Sequence, residues 1–564
     1  MLRYFITDKD QLPYHLAVKV QFQSTSSACR LKIPFWRPGR YSPGEFPANF
    51  IDIEVRVDDK IVNSKKTDPF TIEFPAASGR VEVNYRVYAR GLSAGNTYSC
   101  DDFTLINPVN SLVYVEGMEE ESAHISLDLD SHESIATQLE KIGENLYRAE
   151  NMQEIMDSPF LCAEWLDHFH YQVDEVDFNI HVYGKIAFDH EELIGSFRAF
   201  TEEQIREFAG FPVKEYHFLL AILPYETYHG VEHERSTVII IGPDESLKDR
   251  SAFRNLLGVS SHELYHTWNV KYLRPKEWTP YDFTGPGYSR MGYVAEGVTT
   301  YMGDLMLWKS RVFSDREFLD ELSNLYKRHR FNEGRLHASL ADSSIDTWVD
   351  GYVRGMPRRK LSIYTEGAWL AFICDVFLLE KTEGESSLSN VMRYLYQNVD
   401  PHKGFVENEF WNALSETVDF TWQLIKQDLV DGAGNWDRWL SEAFSLAGLS
   451  IEKVDSNDPV LKNFGFTLKK MNGVYKCMYL FEGSPAERAG LWFHDEVIEV
   501  NGQKPEEVKI EGLAEMSLKI VSDQSEKLLK LRTNGTKYGQ SFRFNWRGDD
   551  SLFRSRYLNS ERNS

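Results

Sequence analysis

Hydrophobic and polar positions alternate with period two along the first part of the chain. Leu16, Val18, Val20 and Phe22 alternate with mostly polar residues. So do Ile51, Ile53, Val55 and Val57, and then Val81, Val83, Tyr85 and Val87. That period sends every second side chain to one sheet face, so each run predicts a half-buried antiparallel strand. Pro38-Gly39 and Asp58-Asp59 mark turns between such runs. Sheets with one apolar face bury it against each other, which predicts a β-sandwich over residues 1–165.

Beyond Asp167 the pattern changes. Strand-like runs at 178–183, 218–222 and 236–241 give way to helical spacing near Leu247. Phe253, Leu256 and Leu257 stand at i, i+3 and i+4, which predicts a helix running on through His266, with Pro275 past its end. Further helices are predicted over 291–308, 316–329, 367–381, 407–417 and 436–447, making 166–450 a small sheet followed by helices. Strand patterns return at 465–469, 475–480 and 496–500 between Gly-rich turns, which predicts a third, small domain at 455–550. The polar tail after Asp550 is expected to fray. The fold class is therefore multidomain α+β.

Charge and composition remove several functions. The chain has 62 Lys and Arg against 86 Asp and Glu, a net charge of −24, so a broad nucleic-acid surface is excluded. The five cysteines (Cys29, Cys100, Cys162, Cys374 and Cys477) are odd in number and contain no CxxC pair. They form neither a disulfide framework nor a cysteine zinc site, and scattered thiols suit a reducing compartment. The N-terminus, MLRYFITDKDQLPYHLAVKV, has no apolar signal core, and no run approaches the roughly 18 apolar residues of a membrane span. A cytoplasmic protein without a membrane partner is expected.

The segment that carries chemistry is SSHELYHTWN, residues 260–269. His262 and His266 are four apart, so on a helix both imidazoles can reach one Zn²⁺. Glu263 in this pattern is not a ligand; it takes the proton of the attacking water. A catalytic zinc needs a third ligand. Glu296, 30 positions beyond His266 in GYVAEGVTTYMGDL, is an acid in an apolar and small-residue run, where a metal would be its strongest partner. One zinc ion per chain is expected, favoured over cobalt or manganese by ligand type. The pairs His229/His233 and His168/His170 are weaker candidates, the first in a predicted turn and the second on a strand-like segment.

These residues resemble the glycyl aminopeptidase family of zinc metallopeptidases, which carry a C-terminal PDZ domain. The likeness runs through IPFWRPGRYSPGEF (33–46), EIMDSPF (154–160), HGVEHERST (229–237), HELYHTWNVKYLRP (262–275), YVAEGVTTY and DSSIDTWV (342–349). The resemblance implies a thermolysin-like zinc domain and hydrolysis of peptides with a free N-terminus, Gly and perhaps Ala preferred. It also implies that Glu232 binds the substrate's α-amino group, although His229 stands where the family has glycine. Tyr364 in SIYTEGAW would donate to the tetrahedral oxyanion, with Glu366 in place of the usual lysine. In the PDZ-like segment, Asn463-Phe464-Gly465-Phe466 resembles the carboxylate-binding loop and 483–503 the core motif. Such a domain either captures peptide C-termini by strand addition or serves only as a cap. Two other readings stay open: an endopeptidase whose PDZ domain captures substrates, and a non-catalytic PDZ scaffold.

Overall fold

The three alternating runs become neighbouring strands. His15–Ser24, Gly79–Tyr88 and Phe50–Val57 lie side by side within an eight-stranded sheet. The structure is a computed structural model describing residues 1–558 apart from 10–11, 77, 131, 353–354, 508–513, 523 and 549–550. Leu16, Val18, Val20 and Phe22 are buried, as are Val81, Val83, Tyr85 and Val87, as the period requires. The Phe50–Val57 strand departs from its pattern. Asp52 takes φ 55 and the pairing shifts between Ile51 and Glu54. This irregularity leaves Ile51 exposed while Val55 and Val57 stay buried.

The chain divides into two compact units. The first comprises Met1–Phe313, Ala341–Gly355 and Glu385–Gln423. Beside the eight-stranded sheet it holds two four-stranded ones. Next along the chain come β1 (Asp167–Val173), β2 (Val176–Tyr183), β3 (Glu215–Ile222), β4 (Thr227–Glu232) and β5 (Ser236–Gly242), in sheet order β1-β2-β3-β5-β4. β2, β3 and β5 are mutually parallel, and the two edge strands are antiparallel to them. One face of this sheet buries Leu219, Ala221, Val238 and Ile240 against Phe103, Leu105 and Leu161. Helix α1 (His190–Phe208) carries buried Leu193, Phe197, Phe200 and Phe208, and Asp189 caps it by accepting the Glu192 N–H. The strand and helix spacings read above do not identify α1; β1 covers the strand-like segment of His168 and His170, and β4 is a strand where a turn around His229 is predicted, because its backbone pairs along β5 from Thr227 to Glu232.

Two helices then build the site. α2 (Arg250–Tyr265) buries Phe253, Leu256 and Leu257 as its spacing predicts. It is followed by a π-helical turn, Thr267–Tyr272. The predicted 291–308 helix is a π-helical turn, Tyr293–Val298, leading into α3 (Thr299–Lys309).

The second unit comprises Ser314–Leu340, Met356–Gly384 and Leu424–Ser564. Its helices α4 (Asp315–Phe331), α5 (Thr365–Lys381) and α6 (Trp436–Leu446) match three predicted helices to within two residues at each end. Tyr326, Trp369, Phe444 and Phe544 pack edge to face at their junction. Five antiparallel strands in sequential order, Phe466–Met471, Val474–Leu480, Glu496–Val500, Glu515–Ser522 and Ser525–Arg532, enclose a core of Phe464, Phe466, Leu480, Leu491, Val497, Leu518 and Ile520. The tail is not wholly frayed. Leu552–Leu558 is helical, with Phe553 and Tyr557 buried and the Tyr557 hydroxyl on Asp375 at 2.7 Å. Asp550 and residues 559–564 lie outside the described residues.

Candidate functional site

α2 presents His262 and His266 one turn apart, and their Nε2 atoms lie 3.0 Å from each other. Glu296 Oε2 lies 3.7 Å from His262 Nε2 and 3.5 Å from His266 Nε2. Donors bound to one tetrahedral zinc at about 2.1 Å would stand roughly 3.4 Å apart, so the three residues fit that ion. Glycine makes the convergence possible. A Cβ at Gly303 of α3 would lie 3.2 Å from the His262 backbone, and Ser261 Oγ donates to Gly303 O at 2.8 Å. The two helices therefore approach closely, with Glu296 just ahead of α3.

His266 and Glu296 are each oriented by a neighbour. His266 Nδ1 donates to Asn269 O at 2.8 Å, which leaves Nε2 as the free lone pair toward the metal. Asn269 also donates to Val294 O, at 2.9 Å, tying the turn after α2 to the turn that carries Glu296. The Tyr41 hydroxyl donates to Glu296 Oε1. His266 and Glu296 keep only 2% and 4% of their side chains exposed, whereas His262 keeps 20%, so the centre opens on the His262 side.

Glu263 is buried beside the ligands, and its Oε2 has no hydrogen-bond partner among the described residues. Burial raises its carboxyl to about 8, with Glu232 and Glu296 adding to the effect and His266 opposing it. Glycine again sets the distance. A Cβ at Gly230 of β4 would lie 2.3 Å from Glu263 Oε1. Glu232 ends β4, is itself buried, and has a carboxylate oxygen within 4.8 Å of those of Glu263 and of a His266 ring nitrogen. Gly39, at φ +78, lies so close that a Cβ there would be 2.4 Å from Glu232 Oε1. His266 cannot serve two ions through one nitrogen, so Glu232 and Glu263 do not make a second metal site.

Behind Glu232 lies a buried ion cluster. Asp157 accepts hydrogen bonds from His233 Nδ1 at 3.0 Å, Lys271 Nζ at 2.9 Å and the Glu234 N–H at 2.8 Å. Burial alone would raise the Asp157 carboxyl, but Lys271 and His233 hold it well below its usual range. Lys271 is raised in turn, Asp157 outweighing the cost of its burial. These three residues come from three of the quoted motifs, which ties those motifs to one another. The departure at His229 also has a cause: its Nδ1 accepts the Ala94 N–H at 3.1 Å.

The structure thus brings together His262, His266, Glu296, Glu263 and Glu232 within the first unit. The competing histidines have other partners. His168 Nε2 donates to Asn179 and His170 Nε2 to Asp177, and neither pair is among the groups of three that could hold a metal. Tyr364 and Asn463–Phe466 belong to the second unit. Tyr364 is half-buried at the N-terminal end of α5. Glu366 is fully buried, accepts the Ser362 N–H at 2.9 Å and is pushed up to about 8 by burial, so it is an interior acid rather than a subsite charge. Phe464 and Phe466 are core residues. Gly465 caps a short helix, Pro459–Phe464, at φ 76 and donates its N–H to Leu461 O. Sequence reasoning did not give roles to Tyr41, Asn269, Asp157, Lys271 or Arg37. All but Asn269 are charged or hydroxylated side chains inside motifs that also contain Pro, Gly or Trp, the signal by which they could have been singled out.

Comparison with known proteins agrees with this geometry. Residues 255–370 match the family model of the M61 glycyl aminopeptidases, and residues 3–164 match that of the peptidase M61 N-terminal domain. No curated protein matches the chain. Among solved structures, an aminopeptidase N family protein from Idiomarina loihiensis shares the fold at 22% identity, with a TM-score of 0.89 over 98% of this chain and 99% of that one. An M1 zinc metallopeptidase from Deinococcus radiodurans is more distant, at 12% identity and a TM-score of 0.46 over 77% of this chain and 94% of that one. All three candidate ligands and Glu263 fall inside the first match; in these two segments the chain is similar to the peptidase and N-terminal domains of the M61 glycyl aminopeptidases, and it is a metallopeptidase.

Proposed function

We propose that the chain is a zinc-dependent aminopeptidase that removes N-terminal residues from peptides, glycine foremost and alanine next. The observation that carries this reading is the position of Glu232, a buried carboxylate within 4.8 Å of the base Glu263 and the ligand His266. A peptide's α-ammonium on Glu232 sets the first peptide carbonyl beside Glu263, one residue from the chain end. Glu263 takes a proton from the attacking water and passes it to the leaving amine. Zinc, held by His262, His266 and Glu296, supplies carbonyl polarisation and lowers the pKa of water. For Tyr364 the role of oxyanion donor rests on the resemblance alone.

The domains proposed are 1–165, 166–450 and 455–550, the last a PDZ domain. Use of the Gly465 N–H inside its own helix cap supports a capping role over capture of peptide C-termini. All five thiols are free, which supports a reducing, cytoplasmic location. No helix of the described residues is long and apolar enough to cross a membrane. The test is digestion of a glycyl peptide and its N-acetylated twin, with and without a chelator. Cleavage of the free peptide alone, abolished by chelation, is expected. Equal cleavage of both would make the chain an endopeptidase and remove Glu232 as amine anchor.

A further inference from the structure

Arg37 is the cation of the cleft. It comes from the loop of the N-terminal sheets that also supplies Gly39 against Glu232 and Tyr41 on Glu296. It is only 4% exposed. Burial of an arginine is costly unless its donors are satisfied, yet among the described residues it donates one hydrogen bond, from Nη1 to the neighbouring Pro38 O at 2.9 Å. Its charge interacts favourably with Glu232 foremost and also with Glu263. Among the described residues no carboxylate oxygen lies within the 4.0 Å of an ion pair with it. The guanidinium therefore acts on the two acids through its charge without pairing with either.

The fold holds it there. The guanidinium lies against Gly95, where a Cβ would stand 2.5 Å from Nε and 2.6 Å from Nη2. The Gly95 loop is pinned by buried amides, Asn110 Nδ2 donating to Gly95 O at 2.7 Å and Asn107 Nδ2 to Ala94 O at 3.2 Å. A planar donor group is thus held in place near a carboxylate with which it forms no ion pair. In an α-amino acyl unit the amine nitrogen and the carbonyl oxygen lie about 3 Å apart, so an acid for one and a guanidinium for the other match it.

Resting on the aminopeptidase reading, we propose that Arg37 is a catalytic residue that donates to the carbonyl oxygen of the substrate's N-terminal residue while Glu232 holds its amine. The donors strengthen as negative charge grows on that oxygen. The released amino acid, an ammonium with a carboxylate, is then a ligand of the same Glu232–Arg37 pair and a competitive inhibitor.

The test uses the full-length zinc-loaded protein with a glycine anilide. Arg37→Gln and Arg37→Ala should lower kcat/KM by about 10²–10³-fold, mostly in kcat, with zinc content unchanged. Millimolar guanidinium should restore part of the Arg37→Ala activity. Inhibition by free glycine should weaken in both variants. Gly95→Ala, which displaces the guanidinium without removing it, should lower kcat in the same direction. Activity within about threefold of wild type in the folded Arg37 variants would overturn the assignment. So would a loss that guanidinium does not relieve and that leaves glycine inhibition unchanged. If wild type cuts free and N-acetylated substrates alike, the aminopeptidase reading fails instead, whatever Arg37 does.

Discussion

Two sets of buried acids in the first unit share the same supports, β4 and the end of α2, and they are treated in opposite ways. Asp157 is saturated from within: Lys271, His233 and the Glu234 N–H all bond to it. Glu232, Glu263 and Glu296 have no lysine or arginine nitrogen within 4.0 Å among the described residues, and one oxygen of Glu263 is left without any partner. A buried charge is tolerated only when paired. The first set is therefore scaffold, complete without a ligand. The second set lacks internal cations, and on the proposed function it is left to outside ones, a metal at Glu296 and an ammonium at Glu232.

The strongest test removes the base. Glu263→Gln should lower turnover by about 10³–10⁴-fold, near the upper limit of general-base catalysis, and keep its zinc, because Glu263 is not a ligand. His266→Ala should lose zinc as well, as elemental analysis would read. Wild-type turnover in Glu263→Gln would take that carboxylate out of the mechanism and leave its unpaired oxygen unexplained.

Breaking the scaffold set should act on stability instead. Lys271→Met leaves Asp157 buried without its cation and should cost about 3–5 kcal/mol in urea unfolding. Asp157→Asn added to it should recover part of that loss. The sign with pH follows from the shifts. The depressed Asp157 carboxyl contributes stability above its unfolded value near 3.9, which is lost as pH falls through its lower folded value. The raised Lys271 contributes below about 10.4 and is lost only as pH rises through its higher folded value. The stabilisation should therefore be flat between about pH 5 and 9, and a loss already at pH 7 would contradict the pairing.

Glu232 should show the intermediate effect. Glu232→Gln exchanges a charged acceptor for a neutral one, which is worth about 1.5–3 kcal/mol, or 10–150-fold in kcat/KM on free-amine peptides. Little change is expected on N-acetylated ones. Equal loss on both would move Glu232 from amine binding to general support of the centre.

Much of this division was legible in the chain. HELYH on a helix with the right apolar face, and an acid stranded in an apolar run, placed four of the five cleft residues. The alternation placed three strands, failing at Ile51 and leaving Ile53 half-buried, where a backbone irregularity changes the facing without changing the residue pattern. Hydrogen bonds between distant segments left no period to read. Tyr41 and Glu296 are 255 residues apart, and Lys271 and Asp157 are 114 apart. Their partnership is created by the sheets that bring the segments together, and sequence spacing carries no record of it.

Glu366, in the second unit, marks the third way of handling a buried acid, and it gives the smallest effect. It has neither an internal ammonium nor an open side toward a ligand. Its Oε2 takes both the Ser362 N–H and the Asn332 amide, its Oε1 has no hydrogen-bond partner among the described residues, and the nearby His329, also fully buried, is held neutral by its own burial. Burial therefore raises the Glu366 carboxyl to about 8. The unfolded chain releases that proton near 4.3 while the folded chain keeps it, so stability should decline as pH rises between those values, by at most about 1.4 kcal/mol per unit. Glu366→Gln keeps the acceptor and removes the titration. Its unfolding midpoint, followed through the neighbouring Trp369, should stay level from pH 5 to 8 where that of the wild type falls. If the two curves run parallel, Glu366 is ionised in the folded protein, and an acid without an internal cation would not need an external one, which would weaken the same inference for Glu232.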